Sequence, residues 1–242
     1  MRRKLLENRI QIFLVIATVV MTILRFLLNE KGRTNPDSIR FMRTANVFPV
    51  IDNTTTPLGY PLSLKFLTIF GFDEFWASKV IGILAYFFIV YFAWNKRFYL
   101  RETILVGGLF SFVSIFSYTM SESLMLPFVF IFLYVARQII IGEIKGTKAF
   151  LYLSLILILL YNIRYPALFI IGGVLLYGLL NFRKHYGKTF IFSGLTGLIF
   201  IVLYKFLFID YFNETYVERF LNIGIHPTSK LLIELFQGMA TT

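Results

Sequence analysis

Cysteine is absent from this 242-residue chain, and histidine occurs only at His185 and His226. Those gaps exclude a disulfide framework, a thiolate nucleophile, a Cys-ligated metal and a His-rich metal site. Charge is scarce too, at 15% of residues, where an ordinary soluble domain carries about a quarter. The sequence has no nucleotide-binding P-loop, no GxGxxG, no HExxH and no visible internal repeat. Acid is the scarcer sign: 13 Asp and Glu against 24 Lys and Arg leave a net charge of +11. A basic balance commonly points to nucleic acid. Here 57% of residues are hydrophobic and the mean hydropathy is +0.73. That composition excludes a disordered chain, argues against a water-soluble globule and leaves no reason to expect a nucleic-acid partner.

What is present is a series of long apolar runs. A membrane span needs about 20 mostly apolar residues. Seven candidates follow, at residues 10–28, 76–94, 103–119, 124–141, 149–162, 165–182 and 189–208. The fifth and sixth meet at Ile163-Arg164-Tyr165-Pro166, where Arg164 and Pro166 favour a tight hairpin. The first run is too long for a signal-peptide core and reads as a retained span. The expected fold is an all-α integral membrane protein: a seven-helix module over residues 1–208, then an external segment at 209–242.

Lys and Arg orient such a bundle. With the N-terminus cytoplasmic, the cytoplasmic pieces hold 13 basic residues and three acids, and the other face nine basic residues and ten acids. Arg25 and Lys205 fall near span ends. Every connection on the cytoplasmic side is then basic, which fits seven alternating crossings.

The external loop at 29–75 is long, and long loops are commonly functional. It predicts two juxtamembrane helices. The first opens at Asn35-Pro36-Asp37, a good N-cap followed by Pro at the first helical position and an acid at the positive end. Through Phe48 it is amphipathic, with Phe41, Met42, Ala45 and Phe48 on one face and Arg40, Arg43 and Thr44 on the other. The second spans about residues 61–70 and ends at Gly71. Between them lies the turn-rich stretch from Asp52 to Pro61.

The unusual polar residues collect on this external side. Asp37 and Asp52 lie in the long loop. Glu122 sits in the short turn after the third run, and Arg164 in the hairpin between the fifth and sixth. Ionisable residues at membrane depth are functional candidates. Each also has a plain structural role open to it: Asp37 as a charge neutralising a helix N-terminus, Glu122 as a cap of the fourth span together with Ser121, Asp52 as a turn residue, Arg164 as a side chain snorkelling to headgroups.

In order and side, these residues resemble glycosyltransferases of the GT-C type that use polyprenyl-phosphate sugars, such as protein O-mannosyltransferases and the aminoarabinose transferase of lipid A. Asp37-Ser38-Ile39-Arg40-Phe41, with Ala45 following, resembles their Asp-Glu-x-Arg-Tyr-x-x-x-Ala motif. Thr56-Pro57-Leu58-Gly59-Tyr60-Pro61-Leu62 resembles their proline- and tyrosine-rich loop stretch. Phe75-Trp76-Ala77-Ser78-Lys79-Val80 is similar to the opening of their second span. Ser121-Glu122-Ser123-Leu124 and Ile163-Arg164-Tyr165-Pro166-Ala167-Leu168 resemble two later motifs. One departure stands out: Ser38 occupies the position where the family usually carries a second acid. Family members are also longer, so the chain resembles the catalytic module alone. It is then a truncated product, a minimal enzyme or half of a two-chain system with a partner subunit.

The resemblance implies transfer of a sugar from a polyprenyl phosphate to a lipid, glycan or protein acceptor, with inversion and without a cofactor; a divalent metal is not expected. Arg164 is the candidate phosphate ligand, with Arg40 and Arg43 next, because guanidinium matches phosphate oxygens bidentately. Asp37 is the candidate general base, Glu122 an orienting residue and Asp52 a second base. Tyr60 and Tyr165 are candidate binding residues. The expected setting is a bacterial inner membrane with the site on the periplasmic face. Rival readings are a polymerase or ligase of lipid-linked glycans, and a transporter or flippase subunit. Transporters place broken helices and charges near the midplane.

Overall fold

The structure is a computed structural model, and it describes residues 2–28, 32–51 and 56–209. Asp52 and the segment beyond residue 209 lie outside the described residues. Among the described residues every regular element is helical. The helices are α1 (Arg2–Leu27), α2 (Pro36–Val47), α3 (Gly59–Thr68), α4 (Glu74–Lys96), α5 (Leu100–Gly107), α6 (Phe110–Ser117), α7 (Ser121–Ile140), α8 (Gly146–Ile163), α9 (Ala167–Leu180) and α10 (Gly187–Tyr204). A π-helical turn, Lys205–Ile209, continues α10.

Five helices are long and apolar enough to cross a membrane, located in α1, α4, α7, α8 and α10, and the chain reads as an integral membrane protein. The seven uninterrupted spans expected from the sequence do not all form. The third expected span is the pair α5 and α6, bent by 75°. The break falls at Gly108 and Leu109, after Gly107; paired glycines are common kink sites. Leu109 is extended there (ψ 143°). Counting the bent pair as one span gives six. The sixth expected span, α9, has 14 residues. At 1.5 Å per residue it measures about 21 Å, short of the roughly 30 Å hydrocarbon core.

Two bodies make up the bundle. In one, α7 to α10 bury Leu153, Leu157, Leu160, Ile171 and Phe190 against one another. In the other, α1, α4 and α6 pack around Ala85, Tyr86, Ile89 and Phe116. The two loop helices lie over one end of the bundle, termed here the loop face. Phe41 and Ala45 of α2 pack there against Tyr60 and Leu64 of α3 and Ala77 and Ile81 of α4.

The loop helices follow their sequence signals closely. Asn35 caps α2: its side chain accepts from the Ser38 N–H at 2.8 Å, and Ser38 Oγ accepts from the Asn35 N–H at 3.0 Å. That is a capping box, and it gives Ser38 a fully buried structural role at the position where the resembled motif has an acid. Thr44 corrects the expected amphipathic split. It is buried and donates to the Arg40 carbonyl. The second loop helix starts at Gly59, two residues before Pro61, which is tolerated in the first turn because the first N–H groups lack helical partners.

Candidate functional site

The loop face is assembled by close backbone approach. Gly59, at the start of α3, rests on the end of α8: a Cβ there would lie 2.5 Å from the Asn162 carbonyl oxygen. Tyr60, the next residue, is fully buried, with its ring edge-on to Phe41 at 5.1 Å. Arg164 ends α8 with an extended backbone that turns the chain into α9. Glu122 stands in the first turn of α7, where the helix dipole favours a negative charge.

These placements bring Glu122 and Arg164 together. Arg164 Nη1 and Glu122 Oε1 form an ion pair, with side chains 31% and 33% exposed respectively. The second carboxylate oxygen, Glu122 Oε2, is buried and accepts no hydrogen bond among the described residues. The carboxylate thus holds a guanidinium with one oxygen and keeps the other as a buried acceptor. Tyr60 lies within its field. Burial pushes the Tyr60 phenol up from its ordinary value, the Glu122 charge adds to that, and the Ser123 and Ser78 hydroxyls oppose it. Tyr60 is therefore a neutral phenol. Tyr165 packs against Tyr161 at 5.3 Å and Tyr204 at 6.3 Å, forming an aromatic wall beside Arg164.

The other sequence candidates are placed elsewhere. Asp37 is exposed on α2 and pairs with Arg40 at 3.4 Å across one helical turn. Arg43 is exposed on the same helix. The two candidate acids therefore sit in separate ion pairs, Asp37 with Arg40 and Glu122 with Arg164. Asp52 is among the residues not described.

An apolar groove of about 650 Å³ opens between α3, α4 and α7. Leu62, Phe66, Leu84, Phe88, Leu124 and Phe128 line it, with Pro127 of α7 beside them. Leu124 lies two residues beyond Glu122, so the groove runs along the helix whose first turn carries the carboxylate. A larger cavity of about 930 Å³ lies at the opposite end of the bundle, lined in part by Glu7, Arg97, Arg101, Glu102 and Arg137. There Arg101 pairs with Glu7.

Sequence reasoning missed a second charged cluster on the loop face. Lys79, in α4, is 1% exposed. Its ammonium donates to the Gly32 carbonyl at 2.6 Å, the Thr119 hydroxyl at 2.8 Å and the Ser117 carbonyl at 3.1 Å. It also faces the Phe75 ring at 4.7 Å. Arg33 donates to Ser114 Oγ and stacks over Tyr118 at 4.7 Å. Arg25 stacks over Phe110 at 3.8 Å. A lysine inside an otherwise apolar run was the available signal. Among the described residues, no group of three or more His, Asp or Glu side chains is gathered so as to hold a metal ion.

Comparison with protein-family models, curated proteins and solved structures returns no match.

Proposed function

We propose that the chain is a membrane glycosyltransferase of the GT-C type, moving a sugar from a polyprenyl phosphate to an acceptor at the loop face. The observation that carries this reading is the Glu122–Arg164 pair with its unused buried oxygen, on the helix that lines an apolar groove. A lipid-linked donor needs an apolar channel for its tail and a cation for its phosphate, and the loop face offers both. The motif order set out above supports the same reading. The protein would sit in a bacterial inner membrane, N-terminus cytoplasmic and loop face periplasmic, consistent with the basic connections at the other end.

The mechanism follows from the pair. The donor phosphate takes over Arg164 through two parallel hydrogen bonds. Glu122 is then released to accept the proton of the acceptor hydroxyl or amine. The acceptor attacks the anomeric carbon, the bond from that carbon to the phosphate oxygen breaks, and the phosphate leaves with the electron pair. One displacement inverts the anomeric centre. The Tyr165 face lines the approach, while Tyr60, fully buried, stays a neutral phenol within the field of Glu122. Asp37 is the base that the resembled motif designates; its exposure and its pairing with Arg40 make Glu122 the stronger candidate.

The test uses membranes supplied with a panel of radiolabelled polyprenyl-phosphate sugars. Wild type consumes a donor. Glu122→Gln lowers kcat by about 100-fold or more, the usual range for a general base, while donor binding persists. Arg164→Ala weakens donor binding. Stability of either variant falls by about 1–3 kcal/mol, between a surface ion pair and a fully buried one, because both side chains are only about a third exposed. Full activity in Glu122→Gln with loss in Asp37→Asn returns the base to Asp37. Failure of wild type to consume any donor removes the transferase reading.

A second reading, a transporter or flippase subunit, draws on two observations: the broken helix α5–α6 and the buried Lys79. It requires a lipid-linked sugar to cross proteoliposome membranes intact, without transfer.

A further inference from the structure

The cation cluster at the end of α1 is separate from the Glu122–Arg164 pair and has a different character. Arg25 and Arg33 line one cavity of about 420 Å³. Their charges repel each other, and Arg33 is in turn repelled by Lys79. Among the described residues no carboxylate pairs with any of the three. The nearby sequence offers Glu30, which lies outside the described residues. The Nε atoms of both arginines are buried and make no hydrogen bond among the described residues. Lys79 is saturated by its three oxygen acceptors, one of them the Gly32 carbonyl next to Arg33. Arg33 itself adopts a left-handed backbone (φ 60°), and its carbonyl accepts from the Thr119 N–H at 3.1 Å. The site is therefore built: Lys79 and Thr119 fix the turn that holds Arg33 opposite Arg25.

The remaining walls are apolar: Met21, Leu24, Leu28, Phe110 and Val113. Met21, Leu24 and Leu28 recur at helical spacing along one side of α1, and all three are exposed, Leu28 by 80%. An occupant must bring negative charge to two guanidinium groups and an apolar body to that stripe. We propose that this cavity binds the phosphate of an anionic membrane lipid, with the acyl chain lying along α1. Guanidinium pairs recognise phosphate oxygens through fixed, parallel hydrogen bonds. A bound phosphate also relieves the repulsion between the two cations. The inference depends on membrane insertion and stands apart from the transferase reading.

Native mass spectrometry of the delipidated full chain in detergent tests it. The probes are phosphatidylglycerol, phosphatidylcholine and inorganic phosphate. Wild type retains one phosphatidylglycerol per chain, at least tenfold more tightly than phosphatidylcholine, and millimolar inorganic phosphate does not displace it. Arg25→Gln and Arg33→Gln each lose at least tenfold in retention, while Arg164→Gln retains the lipid as wild type does. Arg33 also bonds Ser114, so if Arg33→Gln fails to fold, Arg25→Gln alone decides; among the described residues Arg25 makes no side-chain hydrogen bond or ion pair and stacks on Phe110. Unchanged retention in Arg25→Gln overturns the proposal. So does loss of the lipid in Arg164→Gln, which moves the site to the other cation. Displacement by inorganic phosphate assigns the cavity to a soluble anion and overturns the lipid.

Discussion

The body formed by α7 to α10 and the body formed by α1, α4 and α6 solve one problem in two ways. Helices surrounded by lipid gain little from burying apolar surface, so they associate through close packing and interhelical hydrogen bonds. The first body relies on close packing. Gly178 lets α9 approach α10 so nearly that a Cβ would lie 2.8 Å from the Ile191 nitrogen, and Gly194 receives Leu175. Its buried positions are mostly Leu, Ile, Val and Ala. The second body is stitched by polar groups: Ser78, Lys79, Ser117 and Thr119 are all buried and joined by hydrogen bonds. The difference separates two jobs. The apolar body is a scaffold that fixes Arg164 at the end of α8. The polar body anchors the chain where it leaves α1 and enters the loop.

The strongest way to break that contrast is to remove the ammonium. Lys79→Met keeps the bulk of the side chain but strips a donor from two buried carbonyls, Gly32 and Ser117, and from Thr119. Each orphaned buried acceptor costs about 1–3 kcal/mol, so the expected loss is about 4 kcal/mol. The midpoint of SDS-induced unfolding measures it. Buried charges are sometimes replaced by hydrophobic residues without loss. An unchanged midpoint therefore assigns Lys79 no structural role and dissolves the distinction between the two bodies.

Lys79 also marks the limit of what the sequence disclosed. The cap of α2 was legible because Asn35-Pro36-Asp37 is a local signal whose meaning lies within four residues. The hairpin at Arg164 was legible for the same reason. Five of the seven apolar runs became helices of spanning length because length and composition decide that property. The break at Gly108 was not legible: an apolar run shows no periodic change where its axis turns, and Gly107-Gly108 alone does not fix a bend. Thr44 looked polar and outward, yet its hydroxyl is satisfied by the carbonyl one turn back, which permits burial. At the candidate site, Glu122 and Arg164 stood out as charges in short turns, but their contact spans 42 positions and is tertiary. Lys79 reaches acceptors in two other elements, and no local spacing announces such a network.

A smaller expected effect sharpens the contrast at the seam between α4 and α6. Gly82 faces Phe116, and a Cβ there would lie 1.9 Å from the Phe116 carbonyl oxygen. That atom is backbone and cannot rotate aside, so Gly82→Ala must push α6 away from α4. Overpacking of this kind costs about 1–3 kcal/mol. The displacement would also carry Ser117, one residue on, away from Lys79. Gly82→Ala combined with Lys79→Met is therefore expected to cost less than the sum of the two, a double-mutant coupling that the same unfolding assay reads. Strict additivity would mean that the close contact and the polar clamp act independently.

The smallest effect has the opposite sign and belongs to the other body. Gly172 sits within α9, and a Cβ built there meets no atom within 4 Å. Its backbone is helical, so the substitution brings no conformational strain. Gly172→Ala should stabilise α9 by up to about 1 kcal/mol, the helix-propensity difference between the two residues. The gain arises because this glycine, unlike Gly178 and Gly194, has no neighbour pressed against it. A measured loss would mean that Gly172 meets an apolar partner beyond this chain, on a surface where Leu168, Phe169, Leu176 and Leu179 are also exposed. A gain at Gly172 with a loss at Gly82 places the close contacts of this fold where the backbone distances put them.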